Sequence, residues 1–171
     1  MMRAVLVDDD DHANAAVIER ATLLGYLGLL PFLLTAVVLW TSPVLVAPPV
    51  AGLLMQWEMY YAAIVLSFLG GVRWGLAMVE PYIHAREFLT LQRLTGSIAP
   101  ALIAWTALVP NAFIPLGDPS FAVRHTLLLA AFIYLLVSDV QAVRDGAAPG
   151  WYAPLRRKLT FFLALMMILI I

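Results

Sequence analysis

Two charged residues stand inside stretches otherwise apolar enough to cross a membrane. Arg73 lies in Leu66-Ser67-Phe68-Leu69-Gly70-Gly71-Val72-Arg73-Trp74-Gly75, and Asp139 lies near the end of the apolar run 121–143. A charge in hydrocarbon is costly unless it is paired. Each of these sits a turn or two from the same end of its stretch, so the two predict an Arg73–Asp139 ion pair between parallel helices. Such a pair could carry protons or ions, hold a headgroup, or fix helix register. Few other polar residues fall at the midplane of these stretches, which favours register over transport. Ser67, Gly71 and Gly75 form a small-residue ladder that would let a partner helix approach closely beside Arg73.

A second grouping is Glu80, His84 and Glu87. At that spacing the three share one helical face, and oxygen and imidazole ligands could hold a metal there. No fourth ligand lies nearby, so a solvated charged connector is the favoured reading and no metal is expected. A b-type haem is not expected either: His12 falls in the N-terminal segment, His84 in a connection and His125 at the outer boundary of an apolar run. The chain has no cysteine, which excludes disulfides, Fe–S clusters and thiolate metal sites. Glycine-rich phosphate loops, nucleophile elbows and zinc-protease motifs are absent from the sequence. These absences point to a protein without catalysis of its own and without a cofactor.

The elements that must position these residues follow from composition. Of 171 residues, 63% are hydrophobic and 12% charged, and the mean hydropathy is +0.92. Soluble domains carry about twice that charged fraction, so this is an all-α, polytopic membrane protein. Apolar runs predict a bundle of five transmembrane helices, at about 21–40, 53–79, 94–109, 121–143 and 155–171. Residues 1–20, with Asp8 to Asp11, read as an acidic tail entering a helix near Ala13, and 21–171 as a single membrane domain. The acidic run before any apolar segment predicts that these first residues are not a secretory signal. Pro31 predicts a kink in that helix, with the stranded carbonyl satisfied by a neighbour. Pro31 and Pro100 are similarly placed in helices one and three, as are Ala62-Ala63 and Ala130-Ala131 in helices two and four, a faint sign of two related hairpins.

Basic residues set the expected orientation. Arg3, Arg20, Arg86, Arg93, Arg144, Arg156, Arg157 and Lys158 all fall in the tail or in the 80–93 and 144–158 connections. The positive-inside rule then places the N-terminus in the cytoplasm and the C-terminus in the periplasm. In the 144–158 loop, Trp151, Tyr152, Arg156, Arg157 and Lys158 read as anchors at an anionic inner leaflet. The partners expected are membrane lipids and other membrane-protein subunits, and no nucleic acid.

Several of these strings resemble a known family. Leu27-Gly28-Leu29-Leu30-Pro31-Phe32, the segment from Leu66 to Gly75, Asp139, and Trp151-Tyr152 with Leu155-Arg156 are similar to the bacterial and mitochondrial inner-membrane family termed domain of unknown function 3429. The Ser-Phe-Leu-Gly-Gly-Val-Arg-Trp-Gly string is the most specific part, and the resemblance runs from about Leu24 to the C-terminus. It implies a small multi-helix protein of the bacterial inner membrane and supplies no catalytic residues. The reading that results is an accessory or assembly component of a larger membrane complex, respiratory or photosynthetic. A small oligomeric transporter or proton-conducting protein using Arg73 and Asp139 is the alternative.

Overall fold

The structure is a computed structural model that describes the backbone of residues 2–84, 87–109 and 121–170, and the side chains of 15–79, 91–109 and 121–170. The chain forms α1 (Met2–Leu27), α2 (Leu30–Thr41), α3 (Pro48–His84), α4 (Glu87–Leu108), α5 (Phe121–Arg144) and α6 (Tyr152–Ile170). No strand occurs among the described residues. Three stretches are long and apolar enough to cross a membrane: Ala15–Thr41, Pro48–Val79 and Phe121–Arg144. α4 and α6 fall outside that class, α6 because Arg156, Arg157 and Lys158 crowd its first two turns.

The element boundaries differ from the expected ones in ways that proline explains. α3 starts at Pro48 rather than near Leu53, because a proline in the first helical turn lacks only an N–H that has no helical partner anyway. The first run is not one kinked helix but a pair, α1 and α2, divided at Gly28-Leu29. Pro31 stands in the first turn of α2 and cannot continue the hydrogen-bond ladder of α1. The break frees backbone carbonyls, and that of Gly28 accepts a bond from the Tyr61 hydroxyl at 3.0 Å. α1 itself begins at Met2, upstream of the expected start near Ala13.

Pro100 poses the same problem inside α4. Its missing N–H leaves the carbonyl of Gly96 without its helical donor. The Tyr134 hydroxyl, from α5, supplies one at 3.3 Å. Each proline is thus matched by a tyrosine on the helix packed against it. α3 and α4 approach closely at Gly70, where a Cβ would lie 2.7 Å from the Ser97 carbonyl oxygen.

The core lies between α2, α3, α5 and α6. Phe32, Leu66, Leu128, Phe132, Leu135 and Met167 are its largest wholly buried apolar side chains. Phe32 meets Phe132 edge-on at 6.4 Å and Tyr61 at 5.5 Å, aromatic geometries that add to area burial. The outer faces are the inverse of a soluble protein's: Trp40, Trp57, Phe68, Trp105 and Phe161 are all well exposed. Lipid is the solvent such a surface requires.

Candidate functional site: two buried polar clusters

α3 and α5 run in the same direction through the core, and polar side chains join them at two levels. At one level Arg73 meets Asp139, with Nε 3.8 Å from Oδ1. At the other, Glu58 Oε2 lies 3.4 Å from His125 Nδ1, and neither side chain is exposed at all. The two levels are about 15 residues apart along α3, roughly 22 Å. The helix period brings Glu58 and Arg73 to a common face of α3, and His125, Leu128, Phe132, Leu135 and Asp139 to a common face of α5. The space between is filled by Leu66, Leu128, Phe132 and Leu135.

The Asp139 cluster has a third helix in it. Arg156, from α6, donates Nε to Asp139 Oδ2 at 2.6 Å in a buried, charge-assisted bond. Arg73 is the more distant partner, and its Nη1 donates instead to the Ser138 carbonyl at 2.8 Å. Tyr152 is a further neighbour of the aspartate. Arg73 also borders a second, polar recess with Gln92, Tyr134, Ser138, Gln141 and Asp145. At its mouth Arg93 Nη2 and Asp145 Oδ2 form an exposed bond at 2.6 Å. The aspartate therefore ties α3, α5 and α6 together, with one carboxylate facing two guanidiniums.

The Glu58–His125 pair is made differently. The Met167 backbone lies beside His125, yet both carboxylate oxygens and both ring nitrogens lack a hydrogen bond of good geometry among the described residues. His125 packs on Phe121 with ring centroids 5.1 Å apart. Buried polar atoms left this way are unusual.

Of the residues singled out from the sequence, Arg73 and Asp139 lie within ion-pair distance. Arg156, grouped there with the surface anchors, is only 6% exposed and is the aspartate's nearest cation. Arg157 and Lys158 do face outward, while Trp151 and Tyr152 stack edge-on with centroids 6.0 Å apart. Ser67, Gly71 and Gly75 turn outward from the bundle: a Cβ on either glycine would meet nothing within 4 Å. The close approach of helices belongs to their neighbour Gly70. The side chains of Glu80, His84 and Glu87 lie outside the described residues. No cluster of three or more metal-ligating side chains occurs among those that are described.

Sequence reasoning misses Glu58 and His125 as a pair. The signal is present: an acid amid apolar residues on the same α3 face as Arg73, and a histidine on the same α5 face as Asp139. Arg156 carries a weaker one, since Arg156, Thr160, Leu163 and Met167 follow a helical stripe into the apolar run.

Apolar outer faces, spanning helices and inward-turned charges define a helical integral membrane protein. The sequence matches the family described as protein of unknown function (DUF3429) over residues 17–171, and the chain belongs to that family. It is also 32% identical over 146 residues to transmembrane protein 69 of Xenopus tropicalis, an alignment covering 83% of this chain and 49% of the frog protein. The chain thus spans about half the length of that curated relative. No solved structure matches it.

Proposed function

We propose that the protein is a non-catalytic accessory or assembly component that packs against a larger membrane complex, respiratory or photosynthetic, in a bacterial inner membrane. It crosses that membrane five times, α1 and α2 together forming the first span. Its N-terminus and the 144–158 loop lie in the cytoplasm and its C-terminus in the periplasm, an orientation that rests on the placing of basic residues.

The observation that carries the reading is the outward face of α3. Ser67, Gly71 and Gly75 line up on it with room above both glycines, flanked by exposed Phe68, Trp74 and Met78. A small-residue ladder that meets no other helix among the described residues suits a helix of another chain. Arg73, Asp139 and Arg156, by contrast, are turned inward and engaged with one another. A transporter or proton conductor using Arg73 and Asp139 would need a polar route onward from them. The layer beyond is the apolar packing of Leu66, Leu128, Phe132 and Leu135.

Isolation in mild detergent tests the reading. A stoichiometric membrane partner is expected with the wild-type protein, and Gly71→Leu with Gly75→Leu should release it while leaving the protein monodisperse. A wild-type protein that migrates alone sinks the proposal, and proton or solute flux in liposomes holding only this chain would establish the transporter instead.

A further inference from the structure

A cleft of about 200 Å³ opens on the side of the bundle where α1 gives way to α2, with α3 and α6 as its other walls. Its floor is apolar, built from the buried side chains of Phe32, Phe132 and Leu163. Leu24 and Phe68 form its rim, each 67% exposed, so the cleft faces the surface that lipid covers. Gly25 and Gly28 line it without side chains of their own, which keeps the α1 wall low.

One end of the cleft is different. Arg156 closes it, only 6% exposed, with Nε committed to Asp139 and Nη2 buried without a hydrogen-bond partner among the described residues. A buried donor with no acceptor is costly, and an incoming oxygen would relieve that cost. Among the described side chains the charges beside it do not cancel: Arg156 and Arg73 face one carboxylate, Asp139, an excess of one positive charge within the cluster. Arg157 and Lys158, exposed on the next positions, extend the basic end toward the surface. Beyond them the α6 wall, Leu159, Thr160 and Leu163, runs about 6 Å with no charge. The cleft is basic at the end nearer the 144–158 loop and apolar toward the middle of the bundle. That is the polarity of a lipid lying in one leaflet.

We propose that this cleft binds one anionic phospholipid of the surrounding bilayer. A phosphate oxygen accepts from Arg156 Nη2 and one acyl chain lies in the trough between α2, α3 and α6. The excess positive charge selects an anion over a neutral head such as a quinone carbonyl, since two opposite charges attract where a neutral carbonyl offers only a dipole.

The test uses the full chain in zwitterionic detergent. Its thermal midpoint is followed while phosphatidylglycerol, phosphatidylcholine with the same acyl chains, inorganic phosphate or a quinone analogue is titrated in. Saturable stabilisation by phosphatidylglycerol is expected, about ten-fold tighter than by phosphatidylcholine, which equals roughly 1.4 kcal/mol. Inorganic phosphate should have little effect, because the chain supplies much of the contact. Arg156→Gln should erase the preference between the two lipids. Should that variant fail to fold, Val65→Phe, which fills the trough from the α3 side, should weaken both lipids. Equal stabilisation by the two lipids, saturation by the quinone without phosphatidylglycerol, or an undiminished lipid effect in Val65→Phe each overturns the proposal.

Discussion

Asp139→Asn is the substitution that probes the three-helix cluster most directly. It removes the one negative charge facing two buried guanidiniums, and breaking a buried pair from one side costs about 3–5 kcal/mol. Arg156→Gln removes a 2.6 Å charge-assisted bond but leaves Asp139 with Arg73 at 3.8 Å. Loss of one hydrogen bond to a charged group costs about 1.5–3 kcal/mol. Arg73→Gln should cost least, about 1.5 kcal/mol, since its best bond is to the Ser138 carbonyl and Asp139 keeps its nearer cation. Helices unfolded within a bilayer or micelle find other polar partners, which compresses all three values without changing their order. Reversible unfolding in mixed micelles, arranged as double-mutant cycles, reads the order and the couplings. The Arg156–Asp139 coupling is expected to exceed the Arg73–Asp139 coupling. An Arg73→Gln cost equal to that of Asp139→Asn, or a larger Arg73–Asp139 coupling, would refute the argument that distance and bond geometry rank these partners.

Three further outcomes follow from the geometry. Gly70→Ala should lower the thermal midpoint by an amount matching about 1–3 kcal/mol, because its Cβ meets the Ser97 carbonyl at 2.7 Å, whereas Gly71→Ala should stay within about 0.5 kcal/mol. Glu58→Leu alone leaves His125 without its neighbour and should cost about 1–3 kcal/mol. The double variant with His125→Phe should recover most of that in the same melting assay. Because the chain has no cysteine of its own, single cysteines at Ser42 and Gly150 can report orientation. A membrane-impermeant maleimide added to intact cells should label the first and spare the second.

The sequence was most informative where one physical constraint acts alone. Burial in lipid dictates apolar runs, and those runs located the cores of the helices. Proline was legible as a disruption at position 31. Whether it would kink the helix or break it was not, since that depends on the neighbour offering a hydroxyl. The charges were legible as residues that need partners. The choice of partner was not, because Arg156 precedes its apolar run, where arginine more commonly reaches for the membrane surface. Only the placing of α6 against α5 brings its guanidinium inward. The outward turn of Gly71 beside the inward turn of Gly70 is a matter of one residue, about 100° of helix, which a glycine pair cannot announce by itself.

The tyrosine at the Pro100 break has a consequence for how this chain can drift. The hydroxyl of Tyr134 has work to do at Gly96 only while residue 100 lacks an N–H. Let Pro100 give way to an ordinary residue and the helix satisfies that carbonyl itself, leaving phenylalanine at 134 as good as tyrosine. The reverse order is harder: losing the hydroxyl first leaves the carbonyl with neither its helical donor nor a side-chain one. Change at this pair is therefore directional, proline first and tyrosine second. Tyr61 stands differently: the helical donor for the Gly28 carbonyl would be Phe32 and not residue 31, so no such order binds Tyr61 to Pro31.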